Sequence, residues 1–262
     1  MNRRVATCIL AAAFAVAVAA GGPAAKTDRD IGELFTAVLA EHVDAGRVDY
    51  AALCGDERLD EVVERMSSVD PGAIENAADR FAFWINAYNA FTLKIVCDNY
   101  PIESINDLHF GGLAVGTVLN KTVWDKKFIT INGEEMSLNH IEHDILRKEF
   151  KDARLHFAVV CASKSCPPLR AEAFVGSRLE SQLDDQAKVF LSDPERNSFD
   201  MGNKTARLSK IFDWFSKDFG GSDEEILIFV SRFVPANAAA AIMTDLGDWD
   251  IEHLDFDWSL NE

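Results

Sequence analysis

The chain has 262 residues, 48% of them hydrophobic and 10% aromatic, with 26 Lys and Arg against 43 Asp and Glu and a formal net charge of -17. So much apolar surface, including 18 Phe and 5 Trp, can form a packed core and excludes intrinsic disorder. The acidity repels phosphate backbones and anionic lipid surfaces, so no nucleic-acid partner is expected.

Met1, Asn2, Arg3 and Arg4 precede an apolar run from Val5 to Ala20 that ends in small residues. This pattern predicts a secretory signal peptide cleaved near Gly21. At about 16 residues the run falls short of the roughly 20 needed to span a bilayer, so no stable membrane insertion is expected after cleavage. The organisation expected is a signal peptide over 1–20, a short N-terminal linker over 21–30 and one domain over 31–262, in a periplasmic or secreted protein. Cys8 leaves with the signal; Cys54, Cys97, Cys161 and Cys166 remain in a compartment that permits disulfides, and the sequence does not choose among their pairings.

Apolar residues at helical spacing predict a helix from Asp30 to Ala45, with Gly46 as its stop, and a short strand over Arg47–Tyr50. A second helix is expected from Arg58 to Ser67, and Asp70-Pro71 reads as the cap and first turn of the longest helical region. Phe81 to Cys97 is apolar almost all round, which predicts a central helix buried on several sides. Gly111 to Val123 reads as a loop or hairpin region. Lys127–Ile131, Asn132-Gly133 and Glu134–Leu138 form a hairpin signal, because Asn-Gly tolerates the positive φ of a type I′ turn.

Ser137 is expected to cap a helix reaching about Phe150. Leu155 to Cys161, apolar on both alternating faces, predicts a buried strand at about 154–161. Further helices are expected over Ser177–Leu191, Ile211–Phe219 and Glu224–Val234, a hairpin over Asn197–Leu208, and a last strand in the acidic tail. The fold class is therefore mixed α+β and predominantly helical, one domain with a long central helix, a β-hairpin region and a small sheet.

At about 100° per residue, Glu142 falls within the apolar arc of Leu138, Ile141, Ile145 and Leu146, with His143 at its edge and His140 facing away. A carboxylate aimed at a core needs a partner. His156, between Leu155 and Phe157, is one candidate; an Arg or backbone amides are the other. The same segment runs into Cys161-Ala162-Ser163-Lys164-Ser165-Cys166-Pro167-Pro168, a small-residue loop leaving the core with two thiols.

Three readings of these residues compete. In the first, Cys166 is a nucleophile activated by His143 or His156, Glu142 orients the histidine, and Lys164 favours the thiolate. In the second, His143, His156, Cys161 and Cys166 hold zinc, although their spacing matches no compact zinc motif. In the third, a Cys161–Cys166 disulfide merely pins the loop. Asn86 and Asn89, on one face beside Trp84 and Tyr88, either tie neighbouring loops together or wall a pocket. No phosphate loop, dinucleotide fingerprint, GxSxG elbow or HExxH is present, so no cofactor and no dedicated metal motif are expected.

FAFWINAYNAFTL at 81–93, MSLNHIEHDILR at 136–147, ARLHFAVVCASKSCPPLR at 153–170 and FDWSLN at 256–261 together resemble the DUF547 family, a domain of unknown function, over about residues 31–262. The family's signatures fall here on Trp84, Asn86, Tyr88, Asn89, Glu142, His143, Cys166 and Pro167. The resemblance supports a single exported domain and implies no reaction. From the residues, the leading expectation is a thiol hydrolase or transferase built on Cys166, His143, His156 and Glu142, acting on an acyl, amide or thiol-containing substrate. Cys161, Ser163, Lys164, Trp84, Asn86, Tyr88 and Asn89 would line its pocket or supporting network. The alternative is a non-catalytic periplasmic binding or scaffold domain with a structural Cys161–Cys166 disulfide. The partner expected in either case is a small molecule or peptide.

Overall fold

A computed structural model of the chain describes residues 23–109, 111 and 122–262. The expected signal peptide over 1–20 and most of the glycine-containing stretch between Gly111 and Val123 lie outside the described residues. The first helix, Pro23–His42, begins within the stretch expected to be a linker. Its apolar stripe of Ile31, Phe35, Val38 and Leu39 is buried beside the helix Glu57–Ser67. Asp70 caps a single 3-10 turn, Pro71–Ala73. The long helix instead starts at Ala77, where the Asn76 side chain accepts from the N–H groups of Ala78 and Asp79.

This central helix, Ala77–Cys97, buries every residue from Phe81 to Leu93. The helices Pro23–His42, Glu57–Ser67 and His140–Phe150 and the turn Gly176–Arg178 surround it, which is why its sequence carries no polar stripe. The Asn-Gly signal holds: Ile129–Ile131 pairs antiparallel with Glu134–Met136, and Asn132 and Gly133 take φ of 52° and 78°. Ser137 starts the next helix, its hydroxyl accepting from His140 N–H at 3.1 Å and its carbonyl from Ile141 N–H at 3.1 Å. From His140 to Phe150 that helix is wide, with i→i+5 turns.

The buried strand expected at about 154–161 is a correction. Leu155–Ala158 forms one turn of helix, and the backbone becomes extended only at Val159. Among the described residues no strand pairs with it. The Asn89 side chain takes that place, donating to Ala158 O at 2.9 Å and accepting from Val160 N–H at 2.9 Å. Asn86 does the same for Phe174, with both bonds at 2.8 Å. The two amides of the central helix thus act as short substitute strands that satisfy otherwise orphaned buried backbone groups. Asn89→Ala leaves a buried N–H and C=O without partners and is expected to cost about 2 kcal/mol; urea unfolding measures it, and a loss under about 0.5 kcal/mol would show that the clamp is dispensable.

Beyond this point the chain builds a second core. The helix Leu179–Leu191 is followed by Ser198–Asp200, which pairs antiparallel with Thr205–Leu208. Asp250–His253 then adds in parallel on the other edge of Thr205–Leu208, supplying the strand expected in the tail. Phe157, Phe190, Phe212 and Phe219 are buried here, their rings stacked or tilted at centroid distances from 4.7 to 5.8 Å. The helices Asp223–Ser231 and Ala236–Thr244 cover this cluster. The first, larger cluster surrounds the central helix. The fold is mixed α+β, predominantly helical, with its small sheets at the edges of the two apolar clusters.

A strap over residues 256–261 closes the molecule. Its backbone pairs with the loop 161–166 through Lys164 N–H to Ser259 O at 2.8 Å, Ser165 N–H to Asp257 O at 3.2 Å and Asn261 N–H to Ala162 O at 3.2 Å. It also reaches back to the first part of the chain, where Tyr50 donates to Asn261 Oδ1 at 2.9 Å and Ser104 to Trp258 O at 2.7 Å. Gly46 lies at the meeting of these segments. Its φ is +82° and an added Cβ would come within 2.1 Å of Pro168 Cβ, so both conformation and space require glycine there.

Candidate functional site

A cleft of about 150 Å³ opens at the seam between the two apolar clusters. Its walls are Tyr88 from the central helix, Trp124, Trp214 and Phe215, and Phe256 and Trp258 from the strap. Trp214, Phe256 and Trp258 form one aromatic group, with centroids 4.6 to 5.8 Å apart. Glu142, His143, His156, Asn139, Cys161 and Cys166 also line the cleft.

The polar side is an ordered chain of side chains. Glu142 is buried, and its Oε1 faces His156 Nδ1 at 3.7 Å, so the sequence-predicted partnership is present at longer than hydrogen-bond distance. The nearer partner of His156 is Asp218, which accepts from Nε2 at 2.7 Å. Phe215 stacks on the His156 ring at 4.0 Å. Asp218 also receives Arg147 through two bonds, Nε at 2.6 Å and Nη2 at 2.8 Å. Arg147 in turn donates from Nη1 to His143 Nδ1 at 2.9 Å. Since a guanidinium has no acceptor, that contact fixes Nδ1 as the acceptor and leaves the proton of a neutral His143 ring on Nε2.

These contacts set the electrostatics. The hydrogen bond from His156, reinforced by Arg147 and opposed by partial burial, holds the Asp218 carboxyl well below the usual carboxylate range. Burial first, then the charge of Glu142 and hydrogen bonding to it, pushes the Tyr88 phenol up. Arg147 pairs directly with Asp218 and also feels the charge of Glu142 at longer range, whereas Glu142 has no Lys or Arg within salt-bridge distance among the described residues.

Cys161 and Cys166 are joined in a disulfide, as are Cys54 and Cys97. This corrects the thiol reading: with Cys166 bonded to Cys161, no thiolate stands at the cleft for His143 or His156 to generate, and their Nδ1 and Nε2 atoms face Arg147 and Asp218 respectively. The zinc set is corrected on the same geometry, since its two sulfurs hold each other. Among the described residues the one convergent group of metal-type side chains is Glu41, His42 and Asp56, far along the chain from this cleft. In that group Asp56 is occupied by Arg58.

Of the other predicted residues, Tyr88 lines the cleft, whereas Trp84, Asn86, Asn89, Ser163 and Lys164 are not among its lining residues. Asn86 and Asn89 are backbone clamps, Trp84 is core, and Tyr88 reaches the cleft wall. Ser163 is buried, its hydroxyl 2.9 Å from Cys161 Sγ. Lys164 is exposed and its charge acts on Asp257. Residues not predicted are Arg147, Asp218, Trp124, Trp214 and Phe215. Arg147 stands four residues after His143, a spacing that puts both on one helical face and could have revealed the pair. Asp218, in an unremarkable turn, carries no such local signal.

The fold and cleft thus define a disulfide-containing α+β domain with an aromatic-walled site at the seam of two cores. Residues 74–191 match the family described as "Protein of unknown function, DUF547", and over that span the chain is similar to it. The matched span holds Tyr88, Glu142, His143, His156 and both sulfurs of the cleft, whereas Trp214, Asp218 and the strap lie beyond it. No curated protein and no solved structure matches the chain.

Proposed function

We propose that the chain is an exported binding domain whose cleft takes a small organic cation with an apolar body, such as an amine or quaternary ammonium compound. The observation that carries this reading is Glu142, a buried carboxylate facing a cleft whose described lining holds six aromatic side chains and, among the described residues, no Lys or Arg, and which has no Lys or Arg within salt-bridge distance among those residues. A cation over aromatic faces is attracted by their quadrupoles, and exclusion of water strengthens its attraction to a carboxylate. A cleft of about 150 Å³ is the size of a cavity that holds one benzene-sized group, so the part of the ligand it encloses is a small molecule or the tip of one side chain.

Two disulfides in one domain fit an oxidising compartment, and the Arg-Arg start with its apolar run fits export. Among the described residues no helix is long and apolar enough to cross a membrane.

Calorimetric titration with choline and with its uncharged isostere 3,3-dimethylbutan-1-ol tests the reading. Choline is expected to bind and the alcohol to bind at least tenfold more weakly. Glu142→Gln, which keeps shape and removes charge, is expected to raise Kd for choline about tenfold, equivalent to about 1.4 kcal/mol. Equal affinity for the two compounds, or an unchanged Kd in the variant, would overturn the proposal.

A further inference from the structure

We infer that the Cys161–Cys166 disulfide is an exchangeable redox group, an oxidant for small thiols that enter the cleft, whereas Cys54–Cys97 is structural. The two bridges differ in what they face. Both sulfurs of Cys161–Cys166 belong to residues lining the cleft. Cys54 and Cys97 pack against the larger core cluster and do not line it.

Within the cleft bridge the two sulfurs are unequal. Cys161 is partly exposed and Cys166 is 3% exposed, so an incoming thiolate reaches Cys161 and Cys166 is the leaving group. The backbone N–H of Cys161 donates to Cys166 Sγ at 2.8 Å. A hydrogen bond to a sulfur that departs as thiolate stabilises the charged form, and a leaving thiol of lower pKa leaves faster. Ser163 Oγ, 2.9 Å from Cys161 Sγ, can donate to the second thiolate when it is released.

The loop also does not need the bridge to keep its shape. Arg196 donates to Cys166 O at 2.7 Å and to Lys164 O. The strap pairs with Ala162, Lys164 and Ser165, and Cys166 N–H donates to Ser163 O at 3.1 Å. With these bonds in place the two thiols stay side by side after reduction, ready to reform the bridge.

The exchange balances with two molecules of a thiol RSH. The first, as thiolate, attacks Cys161 Sγ; the RS–Cys161 bond forms, the Cys161–Cys166 bond breaks, and the electron pair leaves on Cys166. The second thiolate attacks the RS sulfur, forming RSSR and releasing Cys161. The two protons lost by the thiols end on Cys161 and Cys166. Two electrons pass to the protein, and a second disulfide compound reverses the sequence.

The folded protein is equilibrated with graded ratios of 2-mercaptoethanol to its disulfide, acid-quenched, alkylated and mapped by peptide mass spectrometry. The expected result is alkylation of Cys161 and Cys166 at ratios where Cys54 and Cys97 remain bonded and the near-UV circular dichroism is unchanged. Cys166→Ser is expected to accumulate the mercaptoethanol adduct on Cys161 at least tenfold faster than Cys161→Ser accumulates it on Cys166. If the variants do not fold, the wild-type map alone decides. Reduction of both bridges together on unfolding, earlier reduction of Cys54–Cys97, or equal adduct rates would overturn the inference. Mercaptoethanol is uncharged, so its exchange does not depend on the cation reading; a faster reaction with cysteamine would bear on that reading alone.

Discussion

Replacing Cys54 and Cys97 together by alanine is expected to lower the unfolding free energy by roughly 4 kcal/mol, the value the loop-entropy relation gives for a bridge across a sequence separation of 43. The bridge ties Cys54, at the end of the short helix Tyr50–Leu53, to the last turn of the central helix. The closed loop contains the helix Glu57–Ser67 and the whole approach to the central helix, so cutting the bridge frees a long segment of the unfolded chain. Against the 5–15 kcal/mol typical of a folded domain, this is a large fraction. Urea unfolding of the oxidised parent and the double variant checks it, and a difference below about 1 kcal/mol would show that the bridge restricts little. The bridge at 161 and 166 closes a separation of only 5, for which the same relation gives roughly 2 kcal/mol. Selective reduction of that pair is therefore compatible with a folded molecule.

The second large effect is expected at Asp218, through which the two cores communicate across the cleft. It sits in the turn Ser216–Phe219 beside the phenylalanine cluster and holds Arg147, which projects from the helix packed on the central helix. Asp218→Asn keeps the shape but leaves the guanidinium without its anion and weakens the anchor of His156. The side chains are about a quarter exposed, so the expected cost is about 2–3 kcal/mol near neutral pH, below that of a fully buried pair. The folded-state pKa of Asp218 lies below its unfolded value, so its contribution is complete above about pH 4 and is lost as pH falls through the folded value. The stability gap between parent and variant should narrow between pH 4 and 2. A gap that widens on acidification would contradict the assignment of Asp218 as the paired anion.

What could be read from the sequence was what local physics specifies. The all-round apolar stretch from Phe81 marked the central helix, Asn132-Gly133 marked a turn with two positive φ angles, and Ser137 marked a helix start. Asp70-Pro71 misled because a good cap fits a single 3-10 turn as well as a long helix. Leu155–Cys161 misled for a subtler reason: a short apolar run is compatible with helix or strand, and the partner that satisfies Ala158 and Val160 is an Asn side chain some seventy positions earlier. Glu142, His143 and His156 were legible as a cluster because a carboxylate or imidazole within an apolar pattern needs a reason. Asp218 and Trp214 were not, because nothing near them in sequence distinguishes them from surface residues, and only the packing of the second core brings them to the cleft. The two sulfurs were legible as chemistry, and their bonded state was not, since three pairings of four cysteines were open.

The strap gives the cleft a timetable. Residues 256–261 supply two of its aromatic walls and hold the sulfur-bearing loop, across separations of 92 to 211 residues. Contacts this distant carry the largest loop-closure entropy and form late in folding. During synthesis from the N-terminus, the central helix and its neighbours can collapse while the strap has yet to emerge, so the earlier chain would carry the sulfurs and Glu142 on an open face without a finished cavity. Ligand selection would then begin only as the last segment docks, and a nick between residues 166 and 256 that freed the strap would silence the site while leaving the larger core intact.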